Sequence, residues 1–346
     1  MHVPDGFINA PVSAVTGVVA AGAIAVSLRG ARRELDEKTA PLAGLVAAFI
    51  FAVQMLNFPV AAGTSGHLLG GALAAILVGP FTGVLCVSVV LLMQGILFAD
   101  GGLTALGVNI TDMAIVTTVV SYAVFRGLVK VLPRKKRSIT VAAFVSALLS
   151  VPAAAVAFTL IYALGGTTDV PITKVATAMI GVHVLIGIGE ATITALTVGA
   201  VIAVRPDLVH GARGLQQRLK LRVGGDLVDA PAPAVPVAAR TSRRKVWAVG
   251  LVTSLLLAGF VSFYASASPD GLEKVAKDQG IDQNTKKHHA ADSPLAGYGV
   301  KDISDARISG GLAGVIGVGV TVVAGTGIFW AVRRRRTAGI SPSQVA

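Results

Sequence analysis

Long runs of apolar and small residues, free of charged side chains, dominate the pattern of the chain. The longest lies between Lys38 and Asp100 and holds 61 residues without Asp, Glu, Lys or Arg. Because a helix that crosses a membrane needs about 20 mostly apolar residues, such runs predict membrane-spanning helices. We predict nine of them, at residues 10–28, 41–57, 67–79, 81–98, 107–129, 139–163, 174–204, 246–266 and 308–332.

The third predicted span is shorter than the others. It has 13 residues, from His67 to Gly79, and Pro80 follows it. At about 1.5 Å of rise per residue its length is about 20 Å, which is less than the apolar thickness of a membrane. We therefore predict a short helix that starts at His67, below the outer surface.

Composition excludes a soluble globular enzyme. Hydrophobic types make up 53% of the 346 residues, charged types only 14%, and the mean hydropathy is +0.74. Soluble domains carry about 25% charged residues. The one cysteine, Cys86, lies in an apolar run, which argues against a disulfide framework or a cysteine metal cluster. The net charge of +12 is divided into blocks between apolar runs, so it indicates membrane orientation and no nucleic-acid partner.

Basic residues are concentrated in four segments that fall on one side of a nine-span topology. These segments hold 23 of the 30 lysines and arginines and comprise residues 29–40, 126–138, 205–245 and 333–336. Loops rich in Lys and Arg stay in the cytoplasm. The sequence therefore predicts a multi-pass protein of the plasma membrane, surrounded by lipid, with its N-terminus outside and its C-terminus inside.

The predicted fold class is an all-α polytopic membrane protein, a seven-span bundle followed by a two-span module. The division places the bundle at 1–204, a basic and Ala/Pro-rich cytoplasmic linker at 205–244, the second module at 245–336 and a cytoplasmic tail at 337–346. The first half of the linker predicts a basic surface helix, and its Ala/Pro-rich second half predicts extended chain.

The start of the chain, MHVPDGFIN, carries candidate chemistry. No basic segment precedes the first span, so we expect no signal peptide and a free amine at Met1 on the outer side. An α-amine, the next amide nitrogen and the imidazole Nδ1 of His2 can close a five-membered and a six-membered ring on one metal ion. Ni²⁺ and Cu²⁺ suit such square-planar nitrogen coordination. The arrangement leaves one coordination position open.

His67 is the natural fourth donor, because the topology places it on the same membrane face as Met1 and His2. Small residues surround it in GTSGHLLGG and allow another backbone to approach closely. A turn signal at Pro4-Asp5-Gly6 allows the first residues to fold back into the bundle. Two interpretations stay open from the residues alone: a metal site, or an incidental His2 together with a hydrogen-bonded interior His67.

Four further polar residues lie inside predicted spans, where ionisable groups are costly and often functional. The residues favour interhelical hydrogen bonding, and the alternative is that they support the metal ligands from outside the coordination sphere; they are Asn109, Asp112, His183 and Glu190. His183 and Glu190 are seven residues apart and share a helix face. The sequence lacks the H-E-x-x-H, G-x-x-x-x-G-K-[ST] and G-x-S-x-G motifs, so we expect no enzyme and no ATP hydrolysis by this chain.

The start MHVPDGF, the seven-span body and the GHLLGG segment resemble the CbiM/NikM substrate-binding components of energy-coupling factor transporters over residues 1–204. Residues 245–336 resemble the CbiN/NikN small component, because Pro269 to Glu273 match its PDGLE motif. The chain thus looks like a natural fusion of the two components.

The resemblance implies capture of Ni²⁺ or Co²⁺ through Met1, His2 and His67. The metal is the transported ligand, and no cofactor is implied. Energy would come from separate partners, a coupling membrane subunit similar to CbiQ/NikQ and two ATPase subunits similar to CbiO/NikO. The nitrogen donors favour nickel.

Two other functions remain open. A stand-alone secondary transporter or channel would need a continuous polar path, and an intramembrane metal-dependent enzyme would need a catalytic base beside the metal. We expect no metal ligand in the second module, and we expect His288 and His289 to lie in a solvated loop.

Overall fold

The computed structural model describes residues 1–35, 40–61, 63–215, 220–223, 226–229 and 242–337. Helices form most of it. The first domain contains α1 (Ala10–Glu34), α2 (Ala40–Gln54), strands β1 (Phe58–Ala61) and β2 (Thr64–Gly66), α3 (Gly71–Val78), α4 (Pro80–Met93), α5 (Leu106–Asn109), α6 (Thr117–Val131), α7 (Lys136–Gly165) and α8 (Ile172–Val204). A π-helical stretch, Gln94–Phe98, continues α4, and another, Ile110–Val116, joins α5 to α6.

After the first domain come the strands β3 (Lys220–Val223) and β4 (Asp226–Asp229), then α9 (Arg243–Gly259), α10 (Gly271–Gln279) and α11 (Ala306–Thr337). The strands pair in order as two antiparallel hairpins, β1 with β2 and β3 with β4. Short 3₁₀ turns connect these elements.

Seven helical stretches among the described residues are long and apolar enough to cross a membrane. They are Ala10–Glu34, Pro80–Phe98, Leu106–Val131, Lys136–Gly165, Ile172–Val204, Arg244–Tyr264 and Ala306–Arg334. These stretches coincide with seven of the nine predicted spans and confirm a multi-pass membrane protein. The two other predicted spans are helical but shorter, with 15 residues in α2 and 8 in α3.

The third predicted helix starts later than expected. The prediction that it begins at His67 is wrong, because α3 begins at Gly71 and residues 67–70 are not helical. The backbone N–H groups of Leu69 and Gly70 donate to the two carboxylate oxygens of Glu190 at 2.6 and 3.0 Å. Gly70 also has φ of +91°, a left-handed conformation that interrupts a right-handed helix. All eight residues of α3 are buried, so the helix is an interior element.

The linker also differs from expectation. In its first half the described residues form 3₁₀ turns at Pro206–Leu208 and His210–Leu215 and the strand β3, which pairs with β4, so the predicted surface helix is wrong for them. The Ala/Pro-rich half, predicted to be extended, falls mainly on residues 230–241, which lie outside the described residues. All but the first residue of the predicted tail, residues 338–346, lie outside them as well.

Small residues bring the second module against α2. A Cβ at Gly44 would meet the side chain and backbone of Thr326 on α11, and a Cβ at Gly250 on α9 would lie 2.7 Å from a methyl carbon of Leu45. Glycine therefore permits the close approach that packing between membrane helices requires. The contact sets α9 and α11 beside the first domain. The loop between α9 and α11 reaches the first residues of the chain, where Lys286 N donates to Asp5 O.

Candidate metal centre

The first residues of the chain fold back into the bundle as an arm. The side chain of Asn109 binds this arm twice: its Oδ1 accepts from Val3 N at 2.7 Å, and its Nδ2 donates to Val3 O at 3.2 Å. Val3 O also accepts from Gly102 N at 2.8 Å. Met1 and Val3 are buried. Because Asn109 and Gly102 of the first domain bond to the arm's backbone at Val3, the first domain fixes the position of Met1 and His2.

The predicted turn at Pro4-Asp5-Gly6 is confirmed and anchors the arm at its other end. Asp5 Oδ1 accepts from Thr104 N at 2.8 Å and from Thr104 Oγ1 at 2.5 Å. Gly6 has φ of +95°, and a Cβ there would overlap the carbonyl oxygen of Asn284. Lys286 N donates to Asp5 O at 2.8 Å. The second module thus covers the turn from outside, and only glycine leaves room for it.

The α-amine of Met1 lies against His67. Its nitrogen is 2.6 Å from His67 Nε2, and both groups are buried. His67 Nδ1 lies 2.9 Å from the carbonyl oxygen of Leu68. Because a carbonyl oxygen only accepts hydrogen bonds, Nδ1 carries the proton of the neutral ring and Nε2 presents a lone pair to the amine.

The ring of His2 stacks on that of His67, with centroids 5.0 Å apart and planes 26° from parallel. His2 Nε2 lies 3.1 Å from Gln94 Oε1, so the neutral ring donates from Nε2 and keeps its lone pair on Nδ1. Burial lowers the pKa of His2 to about 4, with the neighbouring amine and His67 acting in the same direction against Asp100. His2 is therefore neutral near pH 7 and has the tautomer that a chelate through Nδ1 requires.

The structure brings Asp270 of the second module to the same place. Its Oδ2 lies 2.9 Å from the Met1 amine and 3.4 Å from His67 Nε2. Burial alone would raise the pKa of Asp270, but the amine and His67 hold it well below its usual range. The sequence did not predict that the second module places a carboxylate at this site. The Pro-Asp-Gly-Leu-Glu motif marked Asp270 as a residue of interest. Nothing in the motif itself shows that the carboxylate of Asp270 faces the Met1 amine.

Donor atoms of His2, His67 and Asp270 lie within 4.8 Å of one another. They line a cavity of about 770 Å³, to which Asp100 and Tyr298 also contribute. Nitrogen donors and one carboxylate converging at this distance suit a divalent transition-metal ion.

The four predicted supporting residues have different surroundings. Asn109 holds the arm, and Glu190 accepts from the two backbone N–H groups that follow Leu68. His183 Nδ1 lies 2.7 Å from Met179 O, and His183 does not pair with Glu190 among the described residues. Asp112 is buried, and within the described part of the chain neither of its carboxylate oxygens has a hydrogen-bond partner. Asn109 and Glu190 therefore bear directly on the site.

The loop histidines differ from each other. His288 is half-buried, with Nε2 3.0 Å from Gly101 O and Nδ1 accepting from Ala290 N, so it docks on the first domain. This corrects the expectation of a solvated loop for His288. His289 is exposed, as expected.

Comparison with known families matches nearly the whole described chain. Residues 2–208 match the CbiM family, described as the cobalt uptake substrate-specific transmembrane region, and residues 244–334 match the PDGLE domain.

Individual proteins that are similar to this chain agree with these family matches. The fused nickel transport protein NikMN of Rhodobacter capsulatus is 43% identical over 125 residues, 36% of each chain. The cobalt transport protein CbiM of Sorangium cellulosum is 33% identical over 216 residues, 60% of this chain and 94% of its own. The crystal structure of a truncated transition metal transporter superposes with a TM-score of 0.52 at 28% identity, covering 59% of this chain and 99% of that one.

Proposed function

Because this chain belongs to the CbiM family and carries a PDGLE domain, it is a cobalt/nickel transport component of the membrane, and we propose that it captures Ni²⁺ or Co²⁺ at the outer end of its first domain. The ligands are the α-amine of Met1, the amide nitrogen and Nδ1 of His2, and Nε2 of His67. The observation that carries the proposal is the placement of the Met1 amine 2.6 Å from His67 Nε2.

The distances support a common ion. Two donors that each lie about 2.0–2.1 Å from one metal ion, at right angles, are about 2.9 Å apart. The separation of 2.6 Å between amine and imidazole is close to this value. The tautomers agree as well, because hydrogen bonds to Leu68 O and Gln94 Oε1 leave His67 Nε2 and His2 Nδ1 with their lone pairs.

The surrounding structure favours a tight site. The arm is held by Asn109 and by the turn at Asp5, and the segment carrying His67 is held by Glu190. Such supporting residues orient ligands and raise metal affinity. Four nitrogens, one of them a deprotonated amide, favour Ni²⁺ among the candidate ions.

Transport would be driven by ATP on separate subunits, through a coupling membrane subunit. Helix α1 supports this arrangement, since Ala21 and Ala25 are exposed and a Cβ at Gly17 would have no neighbour within 4 Å. This stripe of small residues suits close packing of a second membrane protein. The basic segments orient the N-terminus, and therefore the metal site, to the outside.

The decisive experiment adds one residue before Met1. The addition converts the α-amine into an amide, which removes the chelating group and inserts bulk into a buried position. Titration of the purified chain with Ni²⁺ and Co²⁺ should show tight binding with the native start and loss of tight binding in the extended form. His67→Ala should also lose tight binding. Equal affinities for the native and extended chains would contradict the proposal.

A further inference from the structure

We propose that Asp270 is a metal ligand supplied by the second module, an axial carboxylate oxygen above the plane of four nitrogens. This inference rests on the proposed function and adds a fifth donor to it. The two modules of the chain then form one coordination site between them.

The geometry of three atoms carries the inference. The Met1 amine, His67 Nε2 and Asp270 Oδ2 form a triangle with sides of 2.6, 2.9 and 3.4 Å. Three mutually adjacent donors around one ion, each about 2.0–2.1 Å from it, form a triangle with sides of about 2.9 Å. The amine and imidazole belong to the nitrogen plane, so the carboxylate oxygen that is adjacent to both takes the axial position.

The carboxylate is held in this orientation by its own helix. Asp270 is the N-cap of α10, and its Oδ1 accepts from Glu273 N at 2.8 Å. This bond occupies one oxygen and leaves Oδ2 facing the amine and His67. A capping aspartate satisfies one of the free N–H groups at a helix start. The same side chain therefore serves the local fold with one oxygen and the metal site with the other.

The first domain holds this helix start against the segment that leads to His67. Ser65 N donates to Pro269 O at 2.9 Å, and Ser65 Oγ donates to Ser268 O at 2.7 Å. Ser65 belongs to β2, two residues before His67. The imidazole and the carboxylate are thus tied to one short stretch of backbone, which keeps their separation fixed.

Gly271 allows the approach from the other side. A Cβ at this position would lie 2.7 Å from side-chain carbons of Ile186 and Val182 and 3.3 Å from His183 Cε1. These residues belong to α8, so α10 rests on α8 with no space for a side chain at Gly271.

Charge favours the same assignment. A divalent ion bound to a deprotonated amide and three neutral nitrogens carries a residual charge of about +1. The Asp270 carboxylate cancels it in a site where the amine is almost completely buried. Asp100 is the other nearby acid, but its Oδ2 accepts from Tyr298 OH at 2.5 Å and its Oδ1 is 3.5 Å from His2 Nδ1. Asp270 is the acid that contacts both the amine and His67.

The test compares Asp270→Asn and Asp270→Ser with the native chain, in full-length protein that begins at Met1. Both substitutions keep an oxygen for the helix cap and remove the carboxylate. Ni²⁺ and Co²⁺ affinity should fall at least about 10- to 100-fold, because a lost ligand should cost no less than a lost outer-shell partner. Asp278→Asn is the matched control, because Asp278 lies on the same helix, exposed and paired with Lys274. Its affinity should stay within about twofold of the native value.

A spectroscopic measurement separates a ligand from a residue that only positions α10. The visible absorption of the Co²⁺-loaded chain reports coordination number, and it should change in Asp270→Asn and Asp270→Ser but not in Asp278→Asn. An unchanged spectrum, or unchanged affinity, would overturn the inference. Those results would leave the proposed function standing if His67→Ala and the N-terminal extension still abolish binding. Tight binding by these last two variants would instead contradict the proposed function itself.

Discussion

A single amide side chain fixes the register of the N-terminal arm. Asn109 both accepts from Val3 N and donates to Val3 O, so it recognises one peptide unit in one orientation. A shift of the arm by one residue would break both hydrogen bonds and withdraw the amine from His67. At the scale of residues, the placement of the amine depends on these two hydrogen bonds.

We expect Asn109→Leu to weaken metal binding about 10- to 100-fold, because it removes both hydrogen bonds while approximately keeping the volume. Titration with Ni²⁺ measures the change. Thr192→Val is the control, since Thr192 is exposed on α8 and donates only within its own helix. Native affinity in Asn109→Leu would show that the arm is seated without these two hydrogen bonds.

Residue-level reasoning predicted part of this site. Met1, His2 and His67 were expected on one membrane face, and the structure places them in contact; their role as ligands stays a prediction. Asn109 and Glu190 were candidates for a role near the site because polar groups inside apolar spans are costly and often functional. Asp270 could not be found this way. Its partner is 269 residues distant, and a Pro-Asp-Gly sequence is explained locally by a turn and a helix cap.

At the scale of elements, α8 controls where α3 begins. Each oxygen of Glu190 accepts one backbone N–H, from Leu69 and from Gly70. These bonds hold the segment before α3 on α8, and Gly70, with φ of +91°, interrupts a right-handed helix, so residues 67–70 are not helical. The apolar pattern predicted a helix from His67 because a sequence pattern carries no information about a hydrogen-bond acceptor on another helix, here Glu190 on α8.

Glu190→Gln should destabilise the chain by about 1–3 kcal/mol, because the new amide N–H group faces a backbone donor that has lost its acceptor. Thermal unfolding should show a lower midpoint, and Ni²⁺ titration should show weaker binding. Asp278→Asn, which removes an exposed ion pair, should leave the midpoint unchanged. An unaltered midpoint in Glu190→Gln would mean that α3 does not depend on this carboxylate.

The contact between α10 and α8 gives a second prediction at this scale. Gly271→Ala should displace α10, because the added carbon lies 2.7 Å from Ile186 and Val182. Metal affinity should fall by the same factor as in Asp270→Asn. Gly181→Ala, on α8, adds a carbon with no neighbour within 4 Å and should bind normally. Equal binding by both alanine variants would contradict the close contact.

At the scale of the whole molecule, packing of α9 and α11 on α2 should keep the modules together without the linker. A protease site inserted between residues 230 and 241 tests this and the orientation at once. Cleavage should occur in inside-out vesicles and not in right-side-out vesicles, because basic segments are retained in the cytoplasm. The cleaved chain should copurify as a pair and retain Ni²⁺ binding. Cleavage only from the outer face would overturn the nine-span topology.

Whole-molecule organisation was the most predictable level. Apolar runs separated by basic blocks are long-range features that no local contact overrides, so the multi-pass class and most helix positions follow from them. The loop between α9 and α11 was not predictable in this sense. Its placement depends on backbone contacts such as Ser65 with Pro269 and Lys286 with Asp5, which have no signature in composition.

The tie between Ser65 and Pro269 has a consequence for a chain that encodes both modules together. A site whose donors come from two separate polypeptides would depend on the abundance of each and on the rate at which they meet. When the two modules are joined in one chain, they are produced in equal number. The covalent connection also holds each module near the other at an effective concentration on the order of millimolar. A contact of a few hydrogen bonds then suffices to keep the carboxylate in place, and the arrangement can open and close again without the two halves diffusing apart.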